Sequence, residues 1–419
     1  MKRRIICFFS ILLTIATSIF AQQEQTATEQ MKAYLEETDS PITAHNRIHL
    51  LRNGQEKFDN LFAELRKAKH HIHLEYFNLR NDSITKELML ILAEKSQEGV
   101  EVRVLFDAFG NFSNNAPLKK KHLAQIRENG IDIQVFDPIR FPYINNAFHR
   151  DHRKIAVIDG KIGYVGGMNV ADYYINGLPE VGEWHDTHIR MEGEVVALLQ
   201  DIFLKIWNKQ TKQHIGGEVY YPIDVYRGTD MEKDSLNSEV SIVDREPKVS
   251  PRAITRAYNA AIRSAQKRVL LVNPYFVPTK SIKRAIKDAA KRGVDVEIMI
   301  PAKSDIKFTP DAMMTIAHRL EKKGVKVYLF NGGFNHSKVM MVDDEFCTVG
   351  TANLNSRSLR FDYETNAFIF SRDITQLLTD DFEDNKADST PMDADYWKHK
   401  RSAGKKIVGW FAALFAFTL

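Results

Sequence analysis

The sequence predicts an α/β protein of two tandem α/β/α halves related by pseudo-twofold symmetry, with one active site at the interface between them. Three observations carry that expectation. The order helix, apolar strand, helix, strand runs from Phe58 to Asp107 and returns from Ala253 to Pro301. Gly99-Val100-Glu101-Val102 is echoed by Gly293-Val294-Asp295-Val296. Farther along, His152-Arg153-Lys154 and His336-Ser337-Lys338 stand at an offset of 184, which Asp159 and Asp343, Val165-Gly166 and Val349-Gly350, and Asn169 and Asn353 all keep.

With 419 residues, 44% hydrophobic and 27% charged, the chain has the composition of a folded protein with room for two domains, and disorder is not a good overall reading. Residues 1–21 place Lys2, Arg3 and Arg4 ahead of the apolar run Ile5 to Phe20 and then Ala21, the pattern of an export signal. Ile19 stands where a cleavage site wants a small residue, so an uncleaved anchor stays open. In both cases the three cations remain in the cytoplasm and the body lies across the membrane. Without those cations the formal charge falls from +4 to +1, which argues against a polycation built for nucleic acid. Cys7 belongs to the same segment, so Cys347 is left with no partner for an internal disulfide.

Residues 22–44 are polar and rich in Thr, Glu and Gln, and read as a spacer or a marginal helix. The first half, 45–208, sets out a helix from Phe58 to Lys69, a strand from His71 to Phe77, a helix from Ile84 to Gly99, a strand from Val100 to Asp107 and a further strand from Ile155 to Ile158. Residues 209–251, with Gly216-Gly217 and mixed charges, read as the connection. The second half, 252–390, repeats the scheme with a helix from Ala253 to Gln266, a strand from Val269 to Val277, a helix from Lys280 to Gly293, a strand from Val294 to Pro301 and a strand from Val339 to Val342. Such alternation implies a largely parallel or mixed sheet covered on both faces. In the tail, 391–419, Lys398, Lys400, Arg401, Lys405 and Lys406 precede the apolar run Ile407 to Leu419, which is too short to span a bilayer. It reads as an interfacial anchor on anionic lipid or as a helix docked on the core.

Positions i and i+2 of a strand share a face, so His152 sides with Lys154 and His336 with Lys338. Two such pairs meeting at a pseudo-twofold suit a phosphodiester. One neutral imidazole can attack phosphorus while the other, protonated, donates to the leaving alkoxide. Lys154 and Lys338, with donors from Asn169 and Asn353, would stabilise the charge that gathers on the non-bridging oxygens. Asp186 and Glu364, one per half, are the natural carboxylates to bond the far nitrogen of each ring. Asp159 and Asp343 complete the motifs and are counted with the catalytic set, but they lie an odd number of residues beyond their histidines, next to turn residues. They read as charge partners that pin the strand end.

The segment from His152 to Gly160 followed by Gly166-Gly167-Met168-Asn169, and the segment His336 to Asp343 followed by Gly350-Thr351-Ala352-Asn353, resemble the paired His-x-Lys-x-x-x-x-Asp signatures of the phospholipase D superfamily. Bacterial cardiolipin synthases give the nearest pattern, with support from Glu75-Tyr76, Trp184 to His188, Asn273 to Pro278, Pro301 to Asp305 and Arg357-Ser358. The resemblance covers roughly Asn46 to Asp373. It implies a phosphatidyltransferase that needs neither metal nor cofactor and works through a phosphatidyl-histidine: one phosphatidylglycerol loses glycerol, and a second resolves the intermediate to cardiolipin. In that scheme His152 is the nucleophile and His336 the general acid and then base, with the reverse assignment open. The implied partners are phosphatidylglycerol and a membrane surface, with no nucleic acid and no obligatory protein partner, and the implied place is the bacterial inner membrane; such synthases usually keep the body cytoplasmic, whereas the signal-like residues 1–21 put it on the periplasmic side. Two departures stand out: one signal-like segment replaces the usual pair of membrane helices, and Asp151 and Asn355 stand where Asn and Asp are commoner.

The same chemistry also fits a phospholipase D that uses water, or less well a nuclease, for which a basic groove would be expected. A non-catalytic lipid-binding protein would have no need of both histidines and both lysines. His70, His71 and His73 join no recognisable ligand set and read as structural. Lys119 to Lys121 read as a solvated face. The aromatic loop from Phe141 to Phe148, and the loop from Asp172 to Glu183 with Tyr173 and Tyr174 and with Trp184 at its edge, fit either a lipid channel or loop packing.

Overall fold

The computed structural model describes residues 25–138, 148–222, 238–306 and 309–414. The export signal, and the aromatic loop except Phe148, lie outside the described residues.

Each half is built around the same three strands. His71–Tyr76, buried throughout, pairs in parallel with Glu101–Asp107 and antiparallel with Lys154–Ile158. Arg268–Val272 does the same with Asp295–Pro301 and Val339–Val342. The strand expected to reach Val277 stops at Val272, because Asn273-Pro274 brings in a residue with no N–H to give to a ladder. Helices Gly54–Lys67 and Ser83–Gln97 begin where Asn53 and Asp82 accept the backbone N–H groups of Glu56 and Thr85.

Among the described residues the principal sheet has fifteen strands, and its order mirrors the halves about a centre. From one edge it runs Asp132–Phe136, Glu101–Asp107, His71–Tyr76, Lys154–Ile158, Ile162–Gly166, His188–Gly193 and Ile42–Leu51. It continues Ser238–Arg245, Glu364–Phe370, Phe346–Gly350, Val339–Val342, Arg268–Val272, Asp295–Pro301, Lys326–Phe330 and Ser389–Pro391. The central pair, Ile42–Leu51 with Ser238–Arg245, is antiparallel and shifts register between Thr43 and Asn46. About that line the sheet folds back on itself: Ile155, Val157 and Val165 share one core with Leu270, Val339 and Val349. The outer faces are covered by helices, through Phe58, Leu61 and Leu88 in the first half and Ile254, Ile282 and Ile286 in the second. Both motif histidines therefore open strands that lie at the seam.

Two stretches differ from expectation. From residue 25 the stretch 22–44 follows its helix alternative rather than the spacer: helix Ala27–Glu37, closed by a Thr26/Glu29 capping box, buries Ala27, Met31 and Leu35 in the core of the second half, beside Tyr258 and Ala261. The stripe is narrow, one residue per turn, so a polar composition hides it. Residues 209–251 are more than a connection, since Ser238–Arg245 is the second half's counterpart of Ile42–Leu51. Leu35→Ala is expected to lower unfolding free energy by ~2–5 kcal/mol in a denaturant titration, whereas a spacer residue would show no change.

The tail follows its docked reading in part: helix Ala403–Leu414 lies on helix Thr309–Glu321, with Gly409 at the contact.

Candidate active site

The two motif aspartates stand at hairpin turns, in equivalent roles. Asp159 and Asp343 both adopt a φ of 54°, which short polar side chains tolerate best after glycine. Asp159 accepts the backbone N–H groups of Lys69, His70 and His71 at 2.8, 2.8 and 3.0 Å. Asp343 accepts those of Gln266, Lys267 and Arg268 at 2.7, 2.8 and 2.8 Å. They pin strand ends, as expected, but their partners are amides rather than charges, and neither lines the catalytic cavity. Counted with the catalytic set in sequence, they are structural here. Asp343→Ala, which leaves three amides without acceptors, is expected to cost ~1–3 kcal/mol of stability and to spare the chemistry of the molecules that remain folded, read by thermal melts beside kcat.

The histidines are held crosswise. His152 donates its backbone N–H to Tyr363 O at 3.0 Å, and its Nδ1 lies 3.0 and 3.1 Å from the two carboxylate oxygens of Glu364 in the second half. His336 donates to His185 O at 2.7 Å, and its Nδ1 lies 2.6 Å from Asp186 Oδ2 in the first half. A short parallel ladder, Phe334–Asn335 with Trp184–His185, sets the second pairing. With Nδ1–H given to a carboxylate, Nε2 of each ring is left for chemistry. Phe77 packs edge-on to His152 at 5.0 Å between centroids, and Trp184 and Tyr275 lie 5.3 and 5.8 Å from His336.

Both lysines are buried and turned back on their own motif. Lys154 Nζ donates to His152 O at 2.6 Å; Lys338 Nζ lies 2.8 and 3.1 Å from the ring nitrogens of His336 and also donates to His336 O. Burial, then the charges of Lys154 and Lys338, hold His152 well below the usual imidazole range. Burial and Lys338 also lower His336, but Asp186 opposes them. The pair is thus unequal in the direction that a nucleophile and an acid require.

Burial brings Lys338 down to about 7 and Lys154 to about 8, and raises Glu364 to about 7. The signs give a bell. As pH rises through the lysine values the phosphate loses its cations, and as it falls below the Glu364 value His152 loses its anionic acceptor. kcat/KM is expected to peak near pH 7, between the Glu364 value and the lower of the two lysine values, and to fall on both sides. A profile flat from pH 6 to 9 would contradict these assignments.

A cavity of about 470 Å³ takes in His152, His336, Asn169 and Asn353. Asn169 is committed, its Oδ1 accepting Asn78 N–H at 3.2 Å and its Nδ2 donating to Tyr174 at 3.2 Å. Asn353 is freer, since its Oδ1 is buried without a partner. Tyr173, Tyr174 and Trp184 line the wall and also pack on one another and on the core of the first half, so their loop is packed and lines the cavity at once. Arg357, held by Asp362 at 2.9 Å, and Asp305, accepting from Tyr275 at 2.8 Å, also face the cavity. Asn355 caps helix Ser356–Arg360 through Ser358 N–H at 2.9 Å, a task asparagine performs as well as aspartate.

Sequence reasoning missed Lys57, fully buried with Nζ 3.3 Å from Asn169 O and 4.9 Å from the Tyr76 ring. Its signal was a lysine inside the apolar stripe of Phe58, Leu61 and Leu65. It also missed the buried Asp107–Arg150 pair, in which Asp107 accepts Asp151 N–H at 2.9 Å and so fixes the approach to His152. His71 and His73 bond Gln200 in the interior, and His73 stacks on Phe203.

Comparison with known proteins gives a consistent result. The profile of the family described as "Cardiolipin synthase, PLD-like domain" matches residues 61–207 and 258–386. A cardiolipin synthase of Geobacillus sp. (strain WCH70) is 38% identical over 362 residues, 86% of this chain and 70% of that one. Cardiolipin synthase 2 of Bacillus cereus is 37% identical, over 88% of this chain and 70% of its own. Among solved structures, phosphatidylserine synthase of Haemophilus influenzae Rd KW20 superposes with a TM-score of 0.70 at 17% identity, over 93% of this chain and 100% of that one, a likeness of fold.

Proposed function

The chain belongs to the cardiolipin synthase family of phospholipase D-like proteins, and from that premise we propose that it is a phosphatidyltransferase joining two phosphatidylglycerols into cardiolipin, with release of glycerol. The crossed pairing of His152 with Glu364 and His336 with Asp186 in one cavity is the observation that carries this reading.

His152 Nε2 attacks the phosphorus of the first phosphatidylglycerol. As the P–N bond forms, the P–O bond to glycerol breaks and His336 gives its proton to the departing alkoxide. Asn353 faces the non-bridging oxygens, while Lys154 and Lys338, turned back behind the histidines, supply positive charge from outside the cavity lining. His336, now neutral, takes the proton from a primary hydroxyl of the second phosphatidylglycerol. That oxygen attacks phosphorus, the P–N bond breaks and cardiolipin leaves.

The place of action on this reading is a membrane surface. Among the described residues no helix is long and apolar enough to cross a bilayer. The signal-like residues 1–21 support a body on the periplasmic side of the inner membrane.

Full-length protein and His152→Ala, incubated with phosphatidylglycerol vesicles, test the proposal by their lipid products. Cardiolipin with free glycerol, absent from the variant, is the expected result. Phosphatidic acid alone would make the protein a hydrolase, and no lipid turnover would overturn the lipid substrate.

A further inference from the structure

We propose that helix Ala403–Leu414 is a docking element for anionic lipid surfaces, held at the rim of the catalytic cavity. The inference rests on the reading that the substrate is a membrane lipid.

The helix has two faces with different tasks. On its seated face Gly409 allows close approach: a Cβ there would stand 2.3 Å from Thr315 Oγ1 and 2.4 Å from Asp311 O of helix Thr309–Glu321. Just before it, Arg401 reaches Asp311 Oδ1 at 2.6 Å, and the Trp397 ring stacks on His318 at 4.0 Å. These contacts make the seat specific. The other face shows Ile407, Val408, Trp410 and Phe411 exposed by 58, 41, 47 and 53%, an apolar patch at helical spacing. A water-facing surface gains nothing from four such residues together.

Charge selects the occupant. No acidic residue occurs from Tyr396 to the chain end, while Lys398, Lys400 and Lys405 are exposed and Lys406 is half-buried over Trp397. Cations beside tryptophan and phenylalanine suit an anionic headgroup layer, where apolar side chains enter the acyl boundary and ammonium groups meet phosphate. A second copy of this basic surface would repel.

Position gives the patch a purpose. Thr309, the first residue of the supporting helix, lines the catalytic cavity with the exposed Ile306, and Asp311 holds Arg401 two residues later. Exposed Phe112 sits between Phe109 and Ser113, which line the same cavity. A membrane held by the helix would thus meet the cavity rim, shortening the path of a lipid into the site.

The test uses the full chain and vesicles carrying brominated acyl chains. Tryptophan emission should be quenched more by phosphatidylglycerol vesicles than by phosphatidylcholine vesicles, and Trp410→Phe should remove most of that difference. Trp410→Asp/Phe411→Asp should lower turnover of vesicular phosphatidylglycerol by at least ~10-fold, while leaving turnover of detergent-dispersed short-chain phosphatidylglycerol unchanged. The quenching arm reads docking even if no cardiolipin is formed, so failure of the function and failure of this inference are separable. Quenching that ignores Trp410 overturns the proposal, and so does a lipid-free change of oligomeric state in the double variant, which would assign the patch to a second copy.

Discussion

His336→Ala is expected to stop turnover yet still form a covalent enzyme when the lipid carries an aryl headgroup. An aryl oxide leaves without a proton, so the first step needs only His152. The second step needs a base to activate the acceptor hydroxyl, and the variant has none. One equivalent of arylate per enzyme should appear in a burst, with the phosphatidyl group retained on His152 and visible by intact mass. With phosphatidylglycerol itself the loss should be ~10²–10⁴-fold, since both steps then lack their proton carrier. His152→Ala should show neither burst nor adduct. The geometry that supports this division is the stronger suppression of charge on His152, flanked by Lys154 and Lys338, against the 2.6 Å contact of His336 with Asp186. An adduct in His152→Ala and none in His336→Ala would reverse the assignment.

The crossed carboxylates give the second large effect. Asp186 lies in the same half as His152 but touches His336, and Glu364 lies in the same half as His336 but touches His152. Asp186→Asn removes the anion that fixes the tautomer of His336 and steadies its protonated form. Turnover of phosphatidylglycerol should fall by ~10²–10⁴-fold, while the aryl burst, which does not need His336, should remain. Glu364→Gln should instead slow the burst itself, because His152 loses its orienting acceptor. The opposite pattern would mean that each carboxylate serves its own half in solution, and the interface described here would be wrong. Both variants change one atom of side-chain chemistry at nearly constant volume, and wild-type melting curves would exclude simple misfolding as the cause.

Much of the frame was legible because its signals are local. A strand alternates faces with period two, and a helix ends where glycine follows it, so the two four-element runs could be placed to within a few residues. Parity and adjacent turn residues pointed the motif aspartates away from the cleft, although motif membership counted them with the catalytic set. Less legible were segments whose burial is narrow or shared. Ala27, Met31 and Leu35 make one buried residue per turn, too weak a stripe to separate helix from spacer. Ser238–Arg245 follows a polar stretch and is buried between Ile42–Leu51 and Glu364–Phe370, both distant in sequence. Lys57 stands inside the apolar stripe of Phe58, Leu61 and Leu65, but the local sequence does not show that its ammonium ends under Asn169, 112 residues away.

By itself the sequence determined that this is a duplicated α/β protein, and it marked the candidate side chains for its chemistry and the two copies of the motif that should meet, because those signals are written in spacing and in a constant offset along one dimension. The tertiary structure decided which carboxylate serves which histidine, through contacts between residues 212 and 150 positions apart. It also decided that helix Ala403–Leu414 is seated at Gly409 and bare at Ile407, Val408, Trp410 and Phe411. Those outcomes depend on how the sheet folds back on itself at Ile42–Leu51 and Ser238–Arg245, and the free energy of that fold lies in a core shared by both halves, which no local pattern specifies.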